Sequence, residues 1–144
     1  MNVYRELIKK HQEEISNSPM VFAFGPKQFA EAMQKLGLKP TDQDKVCTIF
    51  GAGDIVRKKD VSTILEMFKR QRRELKEAIA NDKTGEGFIL DMFNAALSDH
   101  EYAYTRRLDE ALQSLELTGE DIANDPRLLT GLTIAKKQQI DAFK

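Results

Sequence analysis

The chain of 144 residues has no tryptophan, one cysteine, two histidines and four prolines, and no apolar run approaches the length of a membrane span. Each scarcity removes a class of protein. A lone cysteine, Cys47, forms no internal disulfide, which excludes a disulfide-stapled scaffold and makes a reducing cytoplasm the expected compartment. Two histidines and one cysteine are too few for a zinc finger, and neither a metal nor a cofactor is expected. The opening MNVYRELIKKHQEE is charged and amphipathic and lacks the apolar core of a signal peptide. No complete catalytic motif occurs. What remains is an ordinary globular composition, 41% hydrophobic and 31% charged, long enough for a single compact domain over residues 1–144.

The net charge of −1 hides an uneven distribution. Residues 57–76 carry eight basic and three acidic side chains, whereas residues 77–125 carry three basic and twelve acidic ones. A folded chain with this pattern is expected to have a basic face and an acidic face, a polarity that bears on partners more than on fold.

Periodicity predicts a first helix over about residues 2–16, with Val3, Leu7, Ile8 and Ile15 on one stripe. MVFAF (20–24) suits either a buried strand or an extended plug. Gly25-Pro26 opens a second helix that stops at Gly37. VCTIF (46–50) and IVRKK (55–59), joined by Gly51-Ala-Gly-Asp54, form a hairpin whose exposed edge Arg57, Lys58 and Lys59 would blunt. Asp60 is a natural N-cap for a long helix over 61–80. A further helix is predicted over 88–99, with Ile89, Met92, Phe93, Ala96 and Leu97 inward. Thr105 is expected to cap a helix carrying Leu108, Ala111 and Leu115. Thr118 and Asp121 form a variant capping box, and Asp125-Pro126 opens the last helix. The expected fold is α+β and predominantly α-helical, with five to six helices and one small central β-hairpin.

Six groups of residues are candidates for chemistry. His100, with Asp91 or Glu101, suits a general base, but consecutive Asp-His-Glu side chains diverge on a helix, and a hydrogen-bonded histidine at the core edge explains it as well. His11 with Glu14 has metal-binding spacing, yet lies on the apolar stripe of the first helix, and one pair does not make a site. The two-glycine loop at 51–54 completes neither phosphate-loop fingerprint and fits a hairpin turn. Cys47 inside a strand is expected to be a small buried hydrophobe. The basic cluster Arg57, Lys58, Lys59, Lys69, Arg70 and Arg73 has the density of a phosphate-contacting face. Interleaved Glu66, Glu74 and Glu77 instead suggest a solvated helix face, and both the missing aromatic residues and the overall pI of about 6.2 are unlike a nucleic-acid-binding domain. Asp109, Glu110, Glu120 and Asp121 form a second, acidic candidate face. Helix starts favour carboxylates there without any function.

The segments FAFGPKQFAEAMQKLGL (22–38), GAGDIVRKKD (51–60), GFILDMF (87–93) and DHEYAYT (99–105) resemble an uncharacterised family of small bacterial proteins associated with phages, plasmids and other mobile elements. Its most distinctive part is the motif His100, Glu101, Tyr102, Tyr104, Thr105. The chain departs from the family pattern at Gly25 and at Ala95-Ala96. The resemblance implies no catalytic residues. It implies a cytoplasmic accessory protein, such as an anti-CRISPR-like inhibitor of host defence. The expected function is therefore a non-enzymatic binding protein whose partner is another protein, such as a host nuclease complex. The alternatives are a nucleic-acid-binding protein using the 57–76 patch, and an enzyme centred on His100.

Overall fold

The striped helix signals above materialise, the helices from Pro26 and Phe88 each behind a glycine with no side-chain cap, the helix from Pro126 behind the capping Asp125. The computed structural model describes residues 1–144 and contains α1 (Val3–Ser16), β1 (Met20–Phe22), α2 (Pro26–Lys35), β2 (Val46–Cys47), β3 (Asp54–Arg57), α3 (Val61–Asn81), α4 (Phe88–Asp99), α5 (Tyr102–Thr105), α6 (Asp109–Ser114), α7 (Gly119–Ala123) and α8 (Pro126–Phe143). The fold is predominantly helical with one small antiparallel sheet. Contacts divide the chain into two units, one of residues 1–10 and 74–144, the other of residues 11–73.

In the unit of residues 11–73, MVFAF resolves as a strand. The sheet order is β1-β3-β2, all antiparallel, with Met20 opposite Val56, Phe22 opposite Asp54, and Val46 opposite Arg57. This corrects the two-stranded expectation: β3 is central, so Arg57 does not guard an open edge. Met20, Val56 and Ile64 form the buried core, with Cys47, Ile49 and Phe68 packed against it. Cys47 is half-buried rather than buried, because β2 is an edge strand. The hairpin strands are shorter than their apolar runs for a local reason. The Asp54 carboxylate accepts the amides of Ile49 and Phe50, at 2.7 and 3.0 Å, and draws them out of the ladder. Asp60 closes a 3₁₀ turn at Lys58–Asp60 that leads into α3, and its carboxylate accepts from Arg57 Nε at 2.6 Å. Gln71 is buried and donates to the His11 carbonyl at 3.3 Å and to the Glu14 carboxylate at 2.8 Å.

The other unit is organised around α4. Ile89, Met92, Phe93, Ala96 and Leu97 are buried and pack with Leu128, Leu132 and Ala135 of α8. Backbones meet closely at the start of α4. Gly85, at φ +87°, has no room for a Cβ beside the Arg127 carbonyl. The 82–87 turn folds around the Asp82 carboxylate, which accepts from the amides of Thr84, Gly85, Gly87 and Ile89. Arg127 donates to the carbonyls of Ile79 and Asp82 and pairs with Asp125 at 3.0 Å.

Between α4 and α8 the chain makes three short helices rather than one or two, with left-handed residues at Arg106 (φ 58°) and Glu116 (φ 57°) after α5 and α6. Thr105 accordingly ends α5 instead of capping α6, and its hydroxyl accepts from the Arg107 amide. The Thr118–Asp121 capping box forms with both reciprocal bonds, and Asp125 caps α8 ahead of Pro126. No helix is long and apolar enough to cross a membrane.

Candidate functional site

The strongest constellation lies in the unit of residues 11–73, where α2 ends and the hairpin turns into α3. Leu36 at the C-terminus of α2 is buried, and Gly37 takes a left-handed conformation (φ +75°) that turns the chain back. Lys45 immediately precedes β2, and Lys58 immediately follows β3. Because Val46 pairs with Arg57, the hairpin register brings these lysines to the same end of the sheet. The result is a cleft of about 420 Å³. Its walls are Leu36, Gly37 and Leu38 together with Lys45, Arg57, Lys58 and Lys59, and no acidic side chain lines it.

These four cations are held differently. The Arg57 guanidinium is half-buried, paired with Asp60 at 2.6 Å, and its Nη1 donates to the Leu36 carbonyl at 3.4 Å. It therefore joins β3 to the end of α2 as well as adding charge. Lys45 lies 3.6 Å from Asp42 and is largely exposed. Lys58 and Lys59 are exposed, and neither forms a salt bridge. Two carboxylates against four ammonium and guanidinium groups leave a net positive cleft with two uncommitted lysines.

Only part of the sequence-defined basic cluster gathers here. Arg57, Lys58 and Lys59 line the cleft, whereas Lys69, Arg70 and Arg73 lie further along α3 and do not. Arg70 is not a free surface charge. It is half-buried and paired with Glu14 of α1. That bond, with Gln71 and the neighbouring charges, holds the Glu14 carboxyl down to about 2. Arg57 and Arg70 are thus not free members of the expected basic face, because Asp60 and Glu14 claim them. Lys69 lies 3.6 Å from Glu66, and Arg73 is exposed. Lys45 was not among the sequence candidates. Its signal was the hairpin register, since a residue just before one strand lies across from the residue just after its partner.

A second cleft, of about 610 Å³, opens on the same unit and is mostly apolar, with Ala23, Pro26, Phe29, Pro40 and Ile55 in its wall. Thr48, Gly51, Gly53 and Asp54 close one side. Asp54 is 2% exposed, and its carboxylate also accepts from the Thr48 hydroxyl at 2.9 Å and the Ala52 amide at 3.1 Å. Burial alone would raise its pKa, but the hydrogen bonds hold it well below the carboxylate range. Gly53 has φ +85°, and a Cβ there would come within 2.6 Å of the Phe24 ring, so that ring lies directly on the loop. Phe24 is 76% exposed. The glycine loop is thus a tight hairpin connection ordered by Asp54.

The remaining candidates do not assemble. Asp91 and His100 are nine residues apart on the line of α4, about 13 Å along its axis, and the Asp91 carboxylate accepts the Val3 amide at 2.9 Å. His100 ends α4 with its Nδ1 3.7 Å from exposed Glu110. Glu101 is exposed in a left-handed conformation, Tyr102 is buried in the core, and Tyr104 stacks edge-to-face on Phe143 at 4.6 Å. Asp121 serves the capping box, Asp109 lies 4.0 Å from Arg107, and Glu120 is an exposed first-turn residue of α7. His11 is buried, Glu14 is engaged by Arg70 and Gln71, and no three His, Cys, Asp or Glu side chains are placed to hold a metal ion.

Residues 3–138 match the model of a family of unknown function, DUF7659. The chain belongs to the DUF7659 family. This agrees with the uncharacterised family its segments resemble. Comparison of this DUF7659 member with curated proteins and with solved structures returns no match.

Proposed function

We propose that the chain is a non-catalytic binding protein that receives an anionic partner in the cleft of Lys45, Arg57, Lys58 and Lys59. The observation that supports this reading is the cleft wall, which carries four cations and no carboxylate, two of the cations having no salt-bridge partner. Arg57 is fixed by Asp60 and Leu36, so part of the positive field is preorganised, while Lys58 and Lys59 are free to close on a ligand. An apolar floor of Leu36 and Leu38 lowers the local dielectric and strengthens such contacts. An anti-CRISPR-like inhibitor of a mobile element, acting by protein–protein contact, is the specific form suggested by the sequence resemblance. In that form the cleft would take an acidic patch on the target.

The test is calorimetric titration with inorganic tripolyphosphate. Binding should weaken with salt, and Lys58→Glu/Lys59→Glu should abolish it without moving the melting temperature, since exposed charges contribute only about 0–1 kcal/mol each. Equal binding by this variant would remove the cleft from consideration.

A further inference from the structure

We infer that the anionic partner is single-stranded nucleic acid, with backbone phosphate in the basic cleft and a base in the apolar cleft. This rests on the anion-binding reading above and names its ligand. The two clefts share one face of the sheet. Ile55 lines the apolar cleft and Arg57, two residues on along β3, the basic one, while α2 reaches both, with Pro26 and Phe29 in the first and Leu36, just past its end, in the second, about 10 Å along the helix axis from Phe29. The segment between α2 and β2 contributes to both, with Pro40 in the first and Lys45 in the second. A single strand, whose nucleotides alternate charged phosphates with flat apolar rings, is the chemical unit that reaches both clefts over that span.

The apolar cleft has the matching features. Phe29 supplies an aromatic wall, and the exposed Phe24 ring lies against Gly53, which lines the same cleft. Gln43 adds a polar side chain for a base edge. The sequence offered no aromatic residue within the basic cluster. The fold supplies them from the connection between β1 and α2 and from α2 itself. Exposed aromatic rings beside a cationic groove constitute the sequence-tolerant mode of single-strand binding, in which stacking adds to phosphate contacts. An acidic protein surface would use the lysines but leave Phe24 and the apolar cleft idle.

Fluorescence anisotropy with a labelled dT12 strand tests the assignment against an abasic 12-mer of equal charge, dTMP as competitor, and polyglutamate. The expected result is dT12 binding about tenfold tighter than the abasic strand, the worth of roughly one stacked base. Phe24→Ala should remove that advantage without affecting the abasic strand, and Phe24→Trp should keep it. Lys58→Gln/Lys59→Gln should weaken both strands together and reduce the salt slope by about 1–2. Circular dichroism of each variant separates lost contact from lost fold, and the tryptophan variant retains a test if the alanine variant unfolds. Equal affinity for dT12 and the abasic strand overturns the base-binding assignment while leaving the anion reading intact. Tighter binding of polyglutamate overturns it in favour of an acidic protein. Displacement by micromolar dTMP overturns it in favour of a free nucleotide. Failure of both strands and of tripolyphosphate overturns the anion reading itself.

Discussion

Asp54→Asn is the perturbation whose cost follows most directly from the geometry. The carboxylate is buried and accepts four hydrogen bonds: Oδ1 from the Thr48 hydroxyl and the Ala52 amide, Oδ2 from the amides of Ile49 and Phe50. An asparagine keeps one acceptor oxygen. Its best placement sets that oxygen at the Oδ2 position and its NH₂ towards Thr48, whose hydroxyl turns to accept. Ile49 and Phe50 then keep neutral acceptors, and the Ala52 amide loses its partner. An unpaired amide costs about 1–3 kcal/mol and each charged-to-neutral exchange about 1 kcal/mol, against which the amide side chain is cheaper to bury. The net expectation is a loss of about 2–4 kcal/mol, with Asp54→Ala at or beyond the upper end. Urea denaturation followed by far-ultraviolet circular dichroism measures it, and the midpoint should fall with an unchanged slope. A pH series adds an independent check. The folded-state pKa is lowered, so the wild-type contribution is fully present above the unfolded value of about 4 and is lost as pH falls below it. The asparagine variant should lack that component. A variant within about 0.5 kcal/mol of wild type at neutral pH would refute the claim that this carboxylate orders the 48–53 loop.

Gly85→Ala should destabilise the unit of residues 1–10 and 74–144 by several kcal/mol, because the added methyl meets backbone at Arg127 rather than a movable side chain and the φ of +87° is itself unfavourable; a melting temperature within a degree or two of wild type would contradict this packing. Glu14→Gln should reduce the acid sensitivity of the fold between about pH 4 and pH 2, since a carboxyl lowered to about 2 by Arg70 and Gln71 contributes stability above its unfolded pKa and loses it as pH falls through the folded one. An unaltered acid-unfolding profile would show that the Arg70–Glu14 pair carries no such linkage.

The elements legible in the sequence were those whose signals are local. α4 combines a clean stripe with glycine before it and falls at the expected residues, and the Thr118–Asp121 box and Asp125-Pro126 pair occur as read. The third strand was legible only as one of two alternatives for MVFAF, because three residues of β1 pair with β3 more than thirty positions away and leave no periodicity of their own. The breaks at Arg106 and Glu116 were hidden for another reason: neither is glycine or asparagine, so nothing in the residue type announces a left-handed turn. In the site, charge density pointed to Arg57, Lys58 and Lys59, but not to which cations are spent. Arg70 is claimed by Glu14 at a separation of 56 positions, and Arg57 by the carbonyl of Leu36 at 21, contacts that only the fold creates. Phe24 and Phe29, proposed to meet a base, lie outside the basic run in sequence, and only the fold sets them near it.

The central claim is that the cleft of Lys45, Arg57, Lys58 and Lys59 binds anions. Backbone amide chemical-shift mapping during a titration with inorganic tripolyphosphate tests it at residue level. The account predicts saturable shifts concentrated at residues 36–38, 45 and 57–60, lost in Lys58→Glu/Lys59→Glu. Shifts confined to Lys69–Arg73 of α3, or no saturable shifts at all, would contradict it.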